Sequence, residues 1–333
     1  MVRRGVLPAS LCGCCRETRD ASHYFSERME ESRREDLSRR SPALCWGGEA
    51  CATRGGEGTG LKQIVIGSLA RLAKLCVLRI TRTHLYFIIN EPGTVHRAPG
   101  LWAELDQGHY FSTVTMSGVS EEHNEIFLEF EPDKLSGTLS VFKSNNAAVR
   151  NLKIKLAKKL SPCLTLEMQM PSFSEHARTV VHDVPVLPLP RRQWHLYQEP
   201  EMPHFTASIY LPPLKKLRHV VERMKNLSSS LTLAANRKGT LVLSVTSDAA
   251  NVSTYFRNLT MPTWDLEGAA SQMDEEQLHS ATVEIKKLIS FLAGEQIGPC
   301  KVICNIVDDR MVHLFLLHDD VILQYFLPAT RSS

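Results

Sequence analysis

The sequence predicts an α+β protein in which one domain occurs twice. Its 333 residues are enough for two domains. From residue 61 onward, short runs rich in Val, Ile, Leu, Phe and Tyr predict strands, and a few amphipathic stretches predict helices. The order of these elements in the first half recurs in the second half, after a proline-rich stretch. Such a recurring order indicates a duplicated α+β domain.

Composition excludes several classes of protein. The chain is 43% hydrophobic and has no long apolar run, so we expect neither a fibrous protein nor a membrane span. Lysine and arginine number 39 against 36 acidic residues, a net charge of +3. This is far from the excess of a histone-like protein. A nucleic-acid partner would therefore require the basic residues to be sorted onto one surface.

Residues 1–60 differ from the rest of the chain. Their basic residues are all arginine, and they hold five of the nine cysteines. We expect a disordered or atypical N-terminal segment. The alternative, a basic arm that binds nucleic acid, is disfavoured because acidic residues nearly cancel the arginines.

Residues 61–187 are predicted to form the first domain and residues 206–330 the second. In the first, strands are expected at 75–80, 84–89, 101–105, 110–116, 125–130, 151–158, 163–169 and 179–187, with helices at 65–76 and 132–143. In the second, strands are expected at 206–211, 231–235, 240–246, 251–256, 300–307, 310–317 and 320–327, with a helix at 213–226 and a strand running into a helix over 281–293. Prolines predict that residues 188–205 are an extended linker.

The helix at 213–226 carries the clearest chemical signal. Opposite its apolar stripe it presents five cations and one anion; the cations are Lys215, Lys216, Arg218, Arg223 and Lys225. The other helices repeat this pattern more weakly, through Arg71, Lys74, Lys134, Lys143, Lys286 and Lys287. Basic helical faces without base-reading residues indicate sequence-independent contact with phosphates. The alternative is a solvated face made of good helix formers.

No catalytic or metal-binding constellation is recognisable in the sequence. Phosphate-binding loops, dinucleotide fingerprints, nucleophile elbows and zinc-protease motifs are missing, so we expect no enzyme, cofactor or metal. His182 with Asp183, and His318 with Asp319 and Asp320, are interpreted as surface turns; a hydrolase is the alternative. The cysteine spacings indicate neither zinc nor a disulfide framework, which favours a reducing compartment.

The strand edges are a second feature of the sequence. The strands at 179–187 and 320–327 would be costly if their edges stayed unpaired. We therefore expect both to pair with another subunit.

Eight stretches resemble a known family. They are LARLAKLCVLRI at 69–80, MSGVSEEHNEIFLEF at 116–130, NLKIKL at 151–156, VVHDVPV at 180–186, PRRQW at 190–194, SIYLPPLKKLRHVVERMKNLS at 208–228, FLAGEQIGPCKVICNIV at 291–307 and MVHLFLLHDDVILQYFLPA at 311–329. From about residue 64 to 330 the chain resembles the Hus-type subunit of the checkpoint sliding clamp, the nine-one-one ring, a relative of PCNA.

This resemblance implies the DNA-clamp fold, with two similar domains, outer antiparallel sheets and inner helices. It implies a heterotrimeric ring with two paralogous Rad-type subunits, which a clamp loader places around double-stranded DNA without sequence specificity. It also implies a non-enzymatic role in checkpoint signalling and DNA repair in the nucleus, with repair enzymes as further partners and the cytoplasm as a second location. The DNA-facing residues would be Arg71, Lys74, Lys134, Lys143, Lys215, Lys216, Arg218, Arg223, Lys225, Lys286 and Lys287.

The start of the chain departs from the family pattern. Members begin with a strand directly before the first helix, and this sequence predicts none there. We therefore expect the first sheet to lack a strand and to expose an edge. A second hypothesis for the whole chain is a protein–protein adaptor whose basic helices are solvated faces and make no direct contact with DNA.

Overall fold

The computed structural model describes residues 51–55, 59–90, 99–144, 151–170, 178–248, 250–262, 275–299, 301–318 and 321–330. The disorder expected for residues 1–60 concerns mainly positions outside this part of the chain. All the elements below belong to one compact unit, residues 43–261 with 274–333. The other unit, residues 1–42 with 262–273, has only Pro262 among the described residues.

The first repeat contains nine strands and three helices in the described part of the chain. In order they are β1 (Cys51–Gly55), α1 (Thr59–Leu72), β2 (Cys76–Ile80), β3 (His84–Asn90), β4 (Pro99–Asp106), α2 (Gln107–Tyr110), β5 (Thr113–Thr115), β6 (Ile126–Phe130), α3 (Pro132–Ser144), β7 (Asn151–Lys158), β8 (Pro162–Met170) and β9 (Arg178–Pro188). A 3-10 helix, Arg191–Tyr197, follows.

In the described part of the chain the second repeat follows the same order, without counterparts of α2 and β5. It consists of β10 (Ala207–Tyr210), α4 (Leu214–Met224), β11 (Ser230–Ala235), β12 (Leu241–Thr246), β13 (Asn251–Phe256), β14 (His279–Glu284), α5 (Ile285–Leu292), a 3-10 helix (Ala293–Ile297), β15 (Lys301–Val307), β16 (Met311–His318) and β17 (Val321–Pro328). The predicted α+β duplication is therefore confirmed at the level of elements.

The strands form two antiparallel sheets. Thirteen strands lie in the order β10-β15-β16-β17-β4-β3-β2-β6-β9-β8-β7-β1-β5, and four lie in the order β13-β12-β11-β14. The duplication is visible in this topology as well. The run β4-β3-β2-β6 of the first repeat corresponds to β13-β12-β11-β14 of the second, and β7-β8-β9 corresponds to β15-β16-β17.

A strand does precede the first helix, contrary to the sequence-based expectation. β1 pairs antiparallel with β7, with Ala52 opposite Ile154, and pairs on its other side with β5. It occupies the place that β10 takes beside β15 in the second repeat. The segment CATRG contains no apolar run, so the pairing comes from the neighbouring strands and local composition could not predict it.

Three further predictions needed correction. The first helix ends at Leu72, and Cys76 opens β2. The strand expected at 110–116 is shorter than expected: Tyr110 ends α2, and only Thr113–Thr115 form a strand, β5. The Asp106 carboxylate caps α2 by accepting a hydrogen bond from the Gly108 amide at 2.7 Å. The predicted extended linker contains the 3-10 helix at Arg191–Tyr197.

The predicted edge strand at 320–327 pairs within the chain. β17 runs antiparallel to β4, with Leu323 opposite Ala103, and joins the sheets of the two repeats. The expectation that this strand pairs with another subunit is therefore wrong. The strand at 179–187 keeps part of one edge open. Among the described residues, β9 pairs with β8 over residues 178–185 and with β6 only over residues 186–188.

A cluster of mainly aromatic side chains, separate from the main hydrophobic core, lies beneath the linker. Trp194 is 9% exposed and stacks on Phe127 of β6, with ring centroids 4.7 Å apart. Its indole nitrogen donates to the Leu189 carbonyl at 3.0 Å. The cluster also takes in Trp102 of β4 and Phe326 of β17. The linker therefore covers the junction between the repeats.

Candidate nucleic-acid interface

α4 has a sharply divided surface. Leu217 and Val221 are fully buried, whereas Lys215, Lys216 and Arg223 are exposed. The spacing of its apolar residues places them on one side of the helix, which buries that side in the core and turns the cations outward.

α5 is divided in the same way. Ile285 and Leu288 are fully buried, and the Phe291 ring stacks on Tyr325 of β17 with centroids 5.9 Å apart. Lys286 is exposed and Lys287 is half-buried. The helix therefore packs on the sheet through one side and presents lysine on the other.

α1 and α3 contribute fewer cations. α1 buries Val65 and Leu69 and leaves Arg71 exposed, with the Arg71 Nε donating to the Gly67 carbonyl at 3.1 Å. α3 buries Leu135 and leaves Lys134 exposed.

The four helices lie side by side. α1 packs against both α3 and α5, and α4 packs against α5, which gives the row α3-α1-α5-α4. Since each helix buries its apolar side in one shared core, the exposed sides face away from that core together. We call the exposed and half-buried cations of this row the basic face; its members are Arg71, Lys134, Lys215, Lys216, Arg218, Arg223, Lys286 and Lys287.

Arg218 and Lys134 of the basic face are in ion pairs. Arg218 contacts Glu222 at 2.8 Å and Glu295 at 3.5 Å, and Lys134 contacts Glu131 at 2.6 Å. Exposed pairs of this kind are worth about 0–1 kcal/mol, so a competing phosphate can displace them at little cost. In the described part of the chain no ion pair holds the other α4 lysines and arginine or Lys286.

Three predicted members lie apart from this row of exposed helical cations. Lys74 follows the end of α1 and lies in the turn before β2. Lys225 caps the C-terminus of α4, where its amide donates to the Val221 carbonyl. Lys143 belongs to the last turn of α3, and its side chain lies outside the described residues.

Two open strand edges form a further candidate site. The sequence analysis identified the edge at 179–187 and did not identify the edge at 251–256. β13 is a terminal strand of its sheet, and Tyr255 on it is 58% exposed, with the Arg257 guanidinium 5.8 Å from its ring. Val181 on β9 is 52% exposed. Residues 251–256 alternate exposed and half-buried positions, so this strand packs weakly on both faces.

His182 and Asp183 lie within β9, opposite Leu166 and Thr165 of β8, and not in the surface turn that we expected. Lys159 donates to Asp183 at 2.6 Å and thereby lowers the pKa of that carboxyl, which also accepts from Thr165. Asp319 and Asp320 were proposed as the partners of His318, and both lie outside the described residues. Within the described ranges no group of three potential metal ligands occurs, and no helix is long and apolar enough to span a membrane.

Solved structures with the same fold are sliding clamps. The PCNA of Entamoeba histolytica superposes with a TM-score of 0.59 at 13% identity, over 84% of this chain and 98% of that one. The PCNA of Thermococcus kodakaraensis gives 0.58 at 14% identity, over 85% of this chain and 100% of that one. The chain therefore has the PCNA-like clamp fold, as the resemblance implied.

Sequence similarity identifies the family within that class. Residues 59–331 match the Hus1-like protein family, and the chain belongs to it. It is 42% identical to the human checkpoint protein HUS1 over 78% of this chain and 91% of the relative. It is 29% identical to a Hus1-like checkpoint protein of Drosophila melanogaster, over 80% of this chain and 93% of the relative.

Proposed function

We propose that the chain is a non-enzymatic subunit of a heterotrimeric checkpoint clamp that encircles duplex DNA. The observation that carries this proposal is the row α3-α1-α5-α4, whose exposed sides bear the basic face. Membership of the Hus1-like family supports the checkpoint role, since the relatives are named checkpoint proteins. We propose the nucleus as its location and an ATP-driven loader and repair enzymes as partners.

The basic face suits phosphates rather than bases. Its cations are spread over four helices, which favours contact with successive phosphates along a duplex. Phosphate contacts position a protein without reading sequence. Binding by one subunit is expected to be weak, and retention on DNA then depends on closure of the ring.

The internal junction suggests how subunits join. β17 pairs with β4 inside the chain. In the duplicated topology, β9 corresponds to β17 and β13 corresponds to β4. We infer that β9 of one subunit pairs with the equivalent of β13 in its neighbour, and that the β13 edge meets the other neighbour. The two open edges would then bind two different paralogues.

Neutralising the basic face tests the DNA contact. In the assembled ring, Lys215→Gln with Lys286→Gln should lower the slope of log Kd against log salt by about 2, because each lost phosphate contact removes about 0.9. Arg82→Gln with Arg310→Gln makes the same charge change in two exposed hairpin turns. An equal reduction in both double variants would contradict a role for the helices.

Circular DNA separates encirclement from the adaptor hypothesis. The loaded ring should stay on closed circular duplex in high salt and leave after the circle is cut. An adaptor without direct DNA contact would show no difference between the two forms.

Edge substitutions test the assembly. Val181→Lys and Tyr255→Lys each place a charge on an open edge, which disfavours strand pairing. In mixtures with one paralogue at a time, each variant should abolish co-purification with a different paralogue and retain the other. Leu160→Lys, at a fully exposed position in the β7–β8 turn, should retain both. Retention of both paralogues by the two edge variants would refute the proposed pairing.

A further inference from the structure

The core of the first repeat contains a cavity of about 100 Å³. It lies between the helices and the sheet: Ile66 of α1 and Leu139 of α3 line one side, and Ile154 of β7 and Val114 of β5 line another. Aliphatic and aromatic side chains supply nearly all the lining, and no charged residue takes part.

Gln107 is the one amide in this lining, and its donors are already engaged. Its side-chain nitrogen donates to the Thr81 carbonyl at 2.8 Å and to the His84 carbonyl at 3.1 Å. Its side-chain oxygen is buried without a hydrogen-bond partner, but almost no polar atom is exposed to the cavity. An ordered water needs two to four polar partners. The space therefore favours an apolar occupant over water.

The two repeats differ in sequence beside this cavity. In the second repeat, β10 places Ile209 opposite Cys304 of β15, and Ile209 is fully buried. In the first repeat, Ala52 of β1 is the register partner of both Ile154 and Val114, two residues of the cavity lining. β1 thus has an alanine in register with two lining residues, whereas its counterpart β10 has a buried isoleucine.

We propose that this cavity is a binding site for one small, uncharged apolar molecule no larger than benzene. The lining offers dispersion contacts on several sides and no competing charge. Dry cavities of comparable size and lining in protein cores take up xenon and benzene. The site belongs to the chain itself and does not depend on DNA or on the partner subunits.

Thermal unfolding of the full chain in benzene tests the proposal. A ligand that binds only the folded state raises the melting temperature, by about 3 °C at ten times its Kd for a protein of this size. Xenon is the second probe, and its NMR resonance should shift and broaden in the presence of the protein.

Two filling variants and one control locate the binding. Val114→Phe and Leu139→Phe add atoms to two lining residues on different sides of the cavity, and each should abolish the benzene-induced shift and the xenon signal. Leu160→Phe adds the same atoms at a fully exposed position and should leave both unchanged. The proposal is overturned if benzene and xenon leave the unsubstituted chain unaffected, or if both filling variants keep the full response.

Discussion

His313 should make the protein lose stability in mild acid. The imidazole is fully buried on β16 between β15 and β17. The Asn305 amide nitrogen donates to its Nδ1 at 3.0 Å, and its Nε2 donates to the Gln324 side-chain oxygen at 3.3 Å. The Phe205 ring stacks parallel to it at 5.5 Å. These contacts suit the neutral ring, and burial lowers the pKa of His313 from 6.5 to about 3.

The size of the effect follows from that pKa. The unfolded chain binds a proton at this residue as the pH falls below 6.5, whereas the folded chain does not until about pH 3. The contribution of His313 to stability is therefore present above pH 6.5 and is lost as the pH falls. Between pH 7 and pH 5 the loss is about 2 kcal/mol.

Urea unfolding of the full chain at pH 7 and pH 5 measures this loss. His313→Gln removes the titrating group and should reduce the pH dependence of the unfolding free energy by about 2 kcal/mol. It should also lower stability at pH 7, because the buried packing changes. His219→Gln makes the same substitution at an exposed position of α4 and serves as the control. If His313→Gln and the unsubstituted chain lose the same free energy between the two pH values, the reasoning is wrong.

Three other outcomes are expected. Trp194→Ala should cost about 3–5 kcal/mol in urea unfolding by removing the anchor of the linker, whereas Trp194→Phe should keep part of the stacking and cost less. Gly239 has φ 80° and a Cβ there would clash with the Leu259 carbonyl oxygen. Gly239→Ala should therefore destabilise by at least about 1–3 kcal/mol. Gly137→Ala, in an open position of α3, should stabilise by about 0.5–1 kcal/mol in the same assay. Burial raises the pKa of the Cys304 thiol to about 12. Iodoacetamide at pH 8 should therefore leave this thiol unmodified in the folded protein and modify it after unfolding, as measured by peptide mass spectrometry. Modification at equal rates in both states would contradict the buried thiol.

The sequence predicted the elements whose signal is local. β12 and β16 are apolar runs bounded by turns, and α4 repeats its apolar residues with a helical period. The transition from β14 to α5 was also predictable, because the period of the apolar residues changes from two to nearly four near Ile285.

The elements that depend on distant contacts were not predictable. β1 exists through its pairing with β7 and β5, and the linker is ordered by Trp194 on Phe127. α2 depends on a single capping carboxylate, Asp106. Composition carries little information about any of these contacts.

The candidate interface was predictable in part. The cations of α4 and α5 could be placed on exposed sides from periodicity alone. Lys74 could not, since the end of α1 at Leu72 is set by the start of β2 at Cys76. The packing of helices from both repeats into one row involves residues far apart in sequence, which a helical wheel cannot reveal.

The pairing of β17 with β4 has a consequence for folding during synthesis. β4 is synthesised well before β17, which follows it in the chain after the whole second repeat. Until β17 is made, the edge of β4 that faces away from β3 has unpaired amide and carbonyl groups, with which another nascent chain can pair. The order of synthesis therefore leaves the sheet open to non-native pairing at the junction of the repeats.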